Sequence, residues 1–220
     1  MSIRERIFVH TQSVPLENEL DADDPRSWHW VAYASVGAPK ANRSSSSSSS
    51  SGGEQRRPSE SGRVPVGTLR LVPPPHPPHP QPEGRYAVDN SGDAAPGAER
   101  AANRKSAWHD GKEAYVKLGR LATLQEYRGL GLGRLLVNTA LEWVRRNAEA
   151  VSVGGGDAVE RERGGVEERW RGLVLVHAQV GVVGFWRGLG FVVDEGLGEW
   201  WEEGIRHVGM WRRLEVKEGR

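Results

Sequence analysis

The stretch YVKLGRLATLQEYRGLGLGRLLVNTALEWVRR, residues 115–146, decides the fold and divides into three parts. Residues 115–124 form a short apolar run with β-branched members, which favours a strand. Residues 125–133 are dominated by glycine and predict a turn. Residues 134–146 have helical periodicity, with one face formed by Leu135, Leu136, Thr139, Ala140, Trp143 and Val144.

The junction between this strand and this helix has the features of an anion-binding site. The first amides of a helix lack intrahelical acceptors, and the helix dipole places partial positive charge there. Gly129, Gly131 and Gly133 allow a ligand to approach the backbone closely, and Arg128 adds a cation suited to phosphate oxygens. Neither a Walker A loop nor a dinucleotide fingerprint fits, because Gly-Lys-Ser/Thr and the third glycine are absent. An ordinary strand-to-helix turn is the alternative.

Length and composition exclude several classes of protein. The 220 residues suit one domain enlarged by insertions, and a net charge of +1 gives no bulk attraction to nucleic acid or to an anionic membrane. Cysteine is absent, which removes disulfides, thiolate nucleophiles and cysteine zinc sites, and no metal is expected. No apolar run reaches the roughly 18–20 residues that span a bilayer, and no signal-peptide core is present. We expect a cytoplasmic protein, with a nuclear location left open.

Three low-complexity segments interrupt the chain, at about residues 37–63, 73–112 and 149–171. The first contains an unbroken serine run, the second contains PPPHPPHPQP, and the third mixes charged residues with glycine. Such sequences bury too little apolar surface to offset their ordering entropy, so we predict three disordered insertions. His76 and His79 have no further ligands nearby in sequence, and we expect them to face solvent.

The remaining chain alternates apolar runs with turns. An acidic stretch, PLENELDADDPRS at residues 15–27, precedes the first of these runs and predicts a loop. The predicted elements are strands at 28–36, 64–72, 173–178, 191–195 and 207–214, a helix at 182–189 and a turn at 200–204.

Several of these stretches together resemble the ElaA-type branch of the GNAT superfamily of N-acetyltransferases. Residues 128–133 read Arg-x-x-Gly-x-Gly, which resembles the acetyl-CoA signature of that superfamily. The C-terminal half contains LVLVHAQ, FWRGLGF, EEGIRH and VGMWRRL in the order of the branch, and IFVHTQSVPLENELDADDPRSWHW resembles its opening. His10 and Thr11 depart from that opening pattern. The strand and helix that normally begin the fold have almost no chain here, which suggests a truncated or missing start.

The resemblance implies an α/β (α+β) fold, a single domain with a mixed twisted sheet flanked by helices. Its two central parallel strands, 115–124 and 173–178, would splay apart and admit acetyl-CoA. The implied cofactor-binding residues are Leu121, Ala122, Thr123, Arg128, Gly129, Leu130, Gly131, Leu132, Gly133, Arg134, Phe185 and Arg187. Core packing of Phe185 and solvent exposure of Arg187 remain alternatives.

The resemblance also implies direct attack of a primary amine on the thioester, so the amine must first lose a proton. His177 is a candidate for this role, with a hydrogen-bonded core histidine as the alternative, and Glu17 and Glu19 in the acidic loop would attract the amine and relay its proton. Trp186 stands where many of these enzymes have a tyrosine acid. A catalytically impaired acyl-CoA-binding or scaffold protein of the same fold is therefore the alternative. The acceptor, a small-molecule or peptidyl amine, and the oligomeric state stay open.

Overall fold

The structure is a computed structural model that describes residues 3–12, 14–36, 62–86, 104–152 and 169–216. Most of the predicted serine-rich insertion, and the centres of the other two predicted insertions, lie outside these described residues. Within the described part, no helix is long and apolar enough to cross a membrane.

Eight strands form one sheet in the described part of the chain. They are β1 (Trp28–Val36), β2 (Gly62–Val72), β3 (Arg85–Tyr86), β4 (Tyr115–Thr123), β5 (Leu173–Gln179), β6 (Val192–Val193), β7 (Glu199–Glu202) and β8 (Ile205–Arg213). Their order is β1-β2-β4-β5-β8-β7-β3, with β6 beside β8. The β4/β5 and β3/β7 pairs are parallel, and the other pairs are antiparallel. The predicted mixed sheet is confirmed.

Strand β7 replaces most of the turn predicted at 200–204. Its side chains alternate between half-buried and buried positions, which is the period of a strand, and only Glu203 and Gly204 form the turn. Glu203 and Gly204 both have positive φ, +52° and +77°. These angles fit the type I′ turn that favours a two-residue hairpin, so the turn is shorter than predicted.

Helix α1 (Leu132–Arg146) covers one face of the sheet, accompanied by α2 (Ala148–Ser152) and α3 (Val183–Arg187). The predicted helix is confirmed and begins two residues earlier. Its apolar face is rotated from the predicted one, because Leu135 and Thr139 are exposed. The buried positions are Leu136, Val137, Ala140, Leu141 and Val144.

The central strands are buried on both faces of the sheet. On β5, Val174 and Val176 join the core beneath α1, whereas Leu173 and Leu175 join a second core on the opposite face. That second core also contains Trp211, which is fully buried. A strand that is apolar on both faces needs a covering layer on each side.

Residues 73–86, the proline-rich segment, supply part of the second layer together with residues 104–112. The ring of His76 stacks on Tyr115 at a centroid distance of 4.4 Å, and His79 and His109 pack against Trp211. His79 is 3% exposed, and its burial lowers its pKa to about 3. The predictions of disorder and of solvent-facing histidines are therefore wrong for these described residues, because proline and neutral imidazole rings provide flat apolar cover.

A β-bulge interrupts the pairing of β2 with β4. Thr68 pairs with Ala122 and Arg70 pairs with Gly119, so two residues of β4, Arg120 and Leu121, lie opposite one residue of β2. Arg120 has a φ of +50°, a left-handed conformation that costs a non-glycine residue about 1–2 kcal/mol. Bulges bend a strand and increase its twist. Here the bulge begins just after the last residue of β4 that pairs with β5, so the two strands part.

The acidic stretch packs against this bulge as a tertiary partner. Asp21 accepts from Arg70 Nη1 at 2.6 Å and from Arg120 Nη2 at 2.9 Å. Asp24 accepts from the same Arg70 nitrogen at 2.9 Å and from Arg4 Nη1 at 2.7 Å. The side chain of Arg70 is only 1% exposed. These buried ion pairs therefore hold the N-terminal segment on β2 and β4.

Replacing Arg70 with methionine should lower the free energy of unfolding by about 3 kcal/mol, because two carboxylates lose a buried cation while Arg4 and Arg120 remain. Urea denaturation measures the loss. Arg63→Met is the matched control, because Arg63 is exposed on the same strand and should change stability by less than about 0.5 kcal/mol. Equal losses in the two variants would contradict this role of Arg70.

The stability of the protein should also depend on pH through Asp24. Burial alone would raise the pKa of Asp24, but hydrogen bonds from Arg4, from the Asp21 amide and from Arg70 outweigh it and hold the pKa well below its usual range. A depressed pKa stabilises the fold above the unfolded value of about 3.9, and this contribution is lost as the pH falls below it. Asp24→Asn should therefore be less stable than the parent at pH 7. The gap between their unfolding free energies should narrow below about pH 4, and a gap independent of pH would contradict the assignment.

Candidate functional site

A cleft of about 480 Å³ opens where β4 and β5 part. Their pairing ends at Leu118 and Val176, and both strands continue beyond this couple. The bulged end of β4 forms one wall, and His177 with the β7–β8 hairpin forms the other. Ile7 and Phe8 from a short helical turn at Glu5–Val9, together with Phe185 from α3, add apolar surface.

The glycine loop lies at one end of this cleft. Gly129 and Gly131 have φ values of +76° and +77°, and a Cβ at either would meet open space, so their requirement for glycine is conformational. The Leu135 amide donates to the Gly131 carbonyl at 2.9 Å. The amides of residues 132–134 come earlier in the helix than Leu135 and have no intrahelical acceptor. The start of α1 thus offers amide donors and the positive end of a helix dipole to an anion.

The arginines near the loop face different partners. Arg128 is exposed, lines the cleft and lies 3.4 Å from the Thr123 carbonyl through Nε. Arg134 donates through Nη1 to the Gly188 carbonyl at 2.9 Å, so its guanidinium is held by the end of α3. Arg187 is exposed on α3 and is not among the residues that line the cleft. Arg128 is therefore the cation best placed to meet a ligand at the loop.

The other predicted cofactor residues divide between the cleft and the loop surface. Leu121, Ala122 and Thr123 line the cleft on the part of β4 that lies beyond its pairing with β5. Gly133 and Phe185 also line it, and a Cβ at Gly133 would lie 3.4 Å from the Phe185 ring. Leu130 is 68% exposed at the tip of the loop.

His177 lies in the cleft and directly follows Val176, the last residue of β5 that pairs with β4. Its Nδ1 is 2.8 Å from Oε1 of Glu202, and the same oxygen accepts from the Trp200 indole N–H at 2.7 Å. His207 places Nε2 3.9 Å from Oε2 of Glu202. Sequence reasoning missed Glu202, although the motif EEGIRH contains both Glu202 and His207.

The acidic candidates are in different situations. Glu19 is buried, lines the cleft and forms an ion pair with Arg4. Burial raises the pKa of Glu19, and the nearby Arg4 and Arg120 lower it only in part. Glu17 belongs to the turn Leu16–Asn18, but its side chain lies outside the described part of the structure. Both catalytic assignments stay predictions.

Trp186 occupies the position where the resembling enzymes have a tyrosine. It is 5% exposed and packs edge-on against Phe185 and Phe191, at centroid distances of 5.3 and 5.2 Å. An indole in such a core supplies apolar surface and no acidic proton.

Residues 58–162 match the acetyltransferase (GNAT) family. The matched stretch comprises 105 of the 220 residues, just under half of the chain. The match favours acyl transfer as the general function of this chain.

Solved structures of low sequence identity are also similar to this chain. An acyl-CoA N-acyltransferase from Pseudomonas aeruginosa is 18% identical, with 96% of this chain and 85% of that one covered and a TM-score of 0.48. Escherichia coli ElaA is 16% identical, with 96% and 85% covered and a TM-score of 0.46. No curated protein matches the chain. These likenesses are too distant to assign an acyl group or an acceptor.

The described residues contain no group of three or more His, Asp or Glu side chains that could hold a metal ion.

Gly131→Ala should destabilise the protein by about 1–2 kcal/mol, because alanine is strained at a φ of +77°. The matched control is Gly184→Ala in α3, where a Cβ would meet open space and φ is not positive. Alanine there should be neutral or stabilise by up to about 1 kcal/mol. Thermal and urea unfolding of the two variants measure the difference, and similar effects would contradict the left-handed requirement.

Proposed function

We propose that this chain is an acetyl-CoA-dependent N-acetyltransferase of the GNAT type that acts on a primary amine. The observation that carries the proposal is the connection of two features in one cleft. The glycine loop at the start of α1 offers anion-binding amides, and His177 lies farther along the same cleft. Transfer of an acyl group from acyl-CoA to an amine needs an anchor for the diphosphate of the coenzyme and a base near its thioester.

The residues of this chain divide the binding of acetyl-CoA between them. The amides of residues 132–134 and the guanidinium of Arg128 would hold the diphosphate. The edge of β4 at residues 121–123, which does not pair with β5, would bond the amide groups of the pantetheine arm. Phe185 would pack against that arm from α3.

The reaction is a single displacement at the thioester carbonyl carbon. The nitrogen of the neutral amine attacks, the C–N bond forms, and the C–S bond breaks to release the coenzyme as a thiolate. His177 accepts the proton that the attacking nitrogen gives up, since an imidazole is suited to proton transfer near neutral pH. Holding both reactants in one cleft supplies much of the rate enhancement.

The wall that would face the acceptor carries negative charge. Glu202 and Glu203 line the hairpin side of the cleft, whereas Glu19 is already paired with Arg4 and the cations Lys117 and Arg120 line the β4 side. Carboxylates in a partly enclosed site attract a cation. This favours an acceptor that arrives as an alkylammonium ion, either a small molecule or a peptidyl lysine.

A second candidate function, acyl-CoA binding without turnover, is favoured by Trp186. The buried indole cannot protonate a departing thiolate, so the thiolate must leave unassisted or with the help of water. The two candidates predict the same binding and differ in the release of free thiol.

Calorimetry with acetyl-CoA, followed by a free-thiol assay across polyamines, amino sugars and lysyl peptides, tests the proposal. Arg128→Ala should weaken acetyl-CoA binding about 10- to 100-fold, because a charge-assisted hydrogen bond contributes about 1.5–3 kcal/mol. Arg145→Ala is the control, since Arg145 lies in the last turn of α1 and pairs with Glu142. Binding without thiol release on any amine would favour the second candidate. A folded protein that fails to bind at millimolar acetyl-CoA would overturn both.

A further inference from the structure

We propose that Glu202 is a positioning residue, which fixes the orientation and the tautomer of the His177 imidazole so that Nε2 serves as the base. This inference rests on the proposed function of the cleft. It assigns a role to the EEGIRH motif, in which Glu202 is the first residue and His207 the last.

Glu202 and His177 lie on strands on either side of β8, and their side chains meet over that strand. Strand β8 lies between β5 and β7, with His177 opposite Gly209 and Trp200 opposite His207. Glu202 pairs with Ile205, and Glu203 and Gly204 form the turn that closes this couple. The β8 partners of Glu202 and His177 are thus four residues apart along that strand, and the Glu202 side chain reaches the imidazole at 2.8 Å.

The hydrogen bonds around Glu202 determine which nitrogen of His177 carries the proton. Oε1 of Glu202 accepts from the Trp200 indole, which is only a donor, so this carboxylate oxygen is oriented by a fixed N–H. His177 Nδ1 lies 2.8 Å from that oxygen and must donate to it. A neutral His177 then carries its lone pair on Nε2.

Packing restricts the same ring. The His177 imidazole lies edge-on to Trp200, with centroids 4.9 Å apart and planes inclined by 77°. The side chains of His177 and Glu202 are 9% and 8% exposed. Little room remains for the ring to flip, so the carboxylate and the indole together hold one orientation. A fixed neutral base needs no reorganisation when the amine arrives.

His207 is oriented differently from His177. Its Nδ1 lies 2.9 Å from the Ile205 carbonyl and donates to it, so in the neutral ring Nε2 carries the lone pair. That nitrogen is 3.9 Å from Oε2 of Glu202, beyond a direct hydrogen bond. Glu202 therefore bonds His177 and only approaches His207, which makes His177 the ring that it positions.

The wild-type protein tests the first half of the inference without any substitution. Nitrogen-15 NMR of histidine-labelled protein near neutral pH should find His177 protonated on Nδ1 and bare on Nε2. His177→Ala identifies the resonance. A neutral ring protonated on Nε2 would overturn the proposal, whether or not the protein is an active enzyme.

A double-mutant cycle tests the second half. Glu202→Gln should lower kcat about 10- to 1,000-fold, which is part of the roughly 100- to 10,000-fold that general base catalysis contributes, and change the KM for acetyl-CoA less than about threefold. In a His177→Ala background the same change should alter kcat less than about twofold, because Glu202 acts through His177. Glu199→Gln is the matched control, since Glu199 is on the same strand and pairs at the surface with Arg206.

The outcomes separate this inference from the proposed function. Equal losses from Glu202→Gln in both backgrounds would overturn the positioning role while leaving the transferase intact. A wild-type chain that binds acetyl-CoA but acylates no amine would overturn the catalytic part, and the NMR tautomer would still decide whether Glu202 orients the ring. Urea unfolding of each variant separates a loss of fold from a loss of chemistry.

Discussion

The ion pair between Asp21 and Arg120 is the interaction on which the cleft depends. Arg120 lies in a left-handed conformation at the bulge of β4, and its guanidinium is held by a carboxylate from the N-terminal segment. The strand bends at this point and leaves β5, so a gap appears in the middle of a continuous sheet. Strain at one backbone position is thus offset by a buried charge pair and yields the opening in which a ligand can lie. Arg70 bonds the same aspartate and ties the arrangement to β2.

Both ends of the cleft follow from sheet geometry. The parallel pair β4/β5 directs its carboxyl ends to one edge, which places the start of α1 and the first unpaired residue of β5 beside the same gap. The antiparallel neighbours β8 and β7 then bring Glu202 to the far wall. The proposed anchor and the proposed base therefore lie where helix α1 begins and where β5 leaves β4.

The sequence alone was sufficient to predict the secondary structure that local residue patterns determine. The strand, glycine turn and helix of residues 115–146 were predictable because apolar period and glycine conformations are local properties. The motif resemblance was sufficient for the mixed sheet. The contact between His177 and Glu202 was not predictable, because the two residues lie on strands separated by β8 and meet only through tertiary packing. The burial of His79 was also missed, because its partner Trp211 is distant in sequence and no local pattern around His79 indicates the contact.

The proline-rich segment has a consequence for anyone who shortens this chain. By composition, residues 73–86 look as dispensable as a linker, yet they shield the aromatic side of Tyr115 and Trp211 from water. Excising them would expose the apolar surface of Tyr115 on β4 and Trp211 on β8 to water. The shortened protein would then associate with other copies of itself through that surface. Whether a segment belongs to a domain is therefore decided by its contacts, and a segment of low-complexity sequence can be part of the interior.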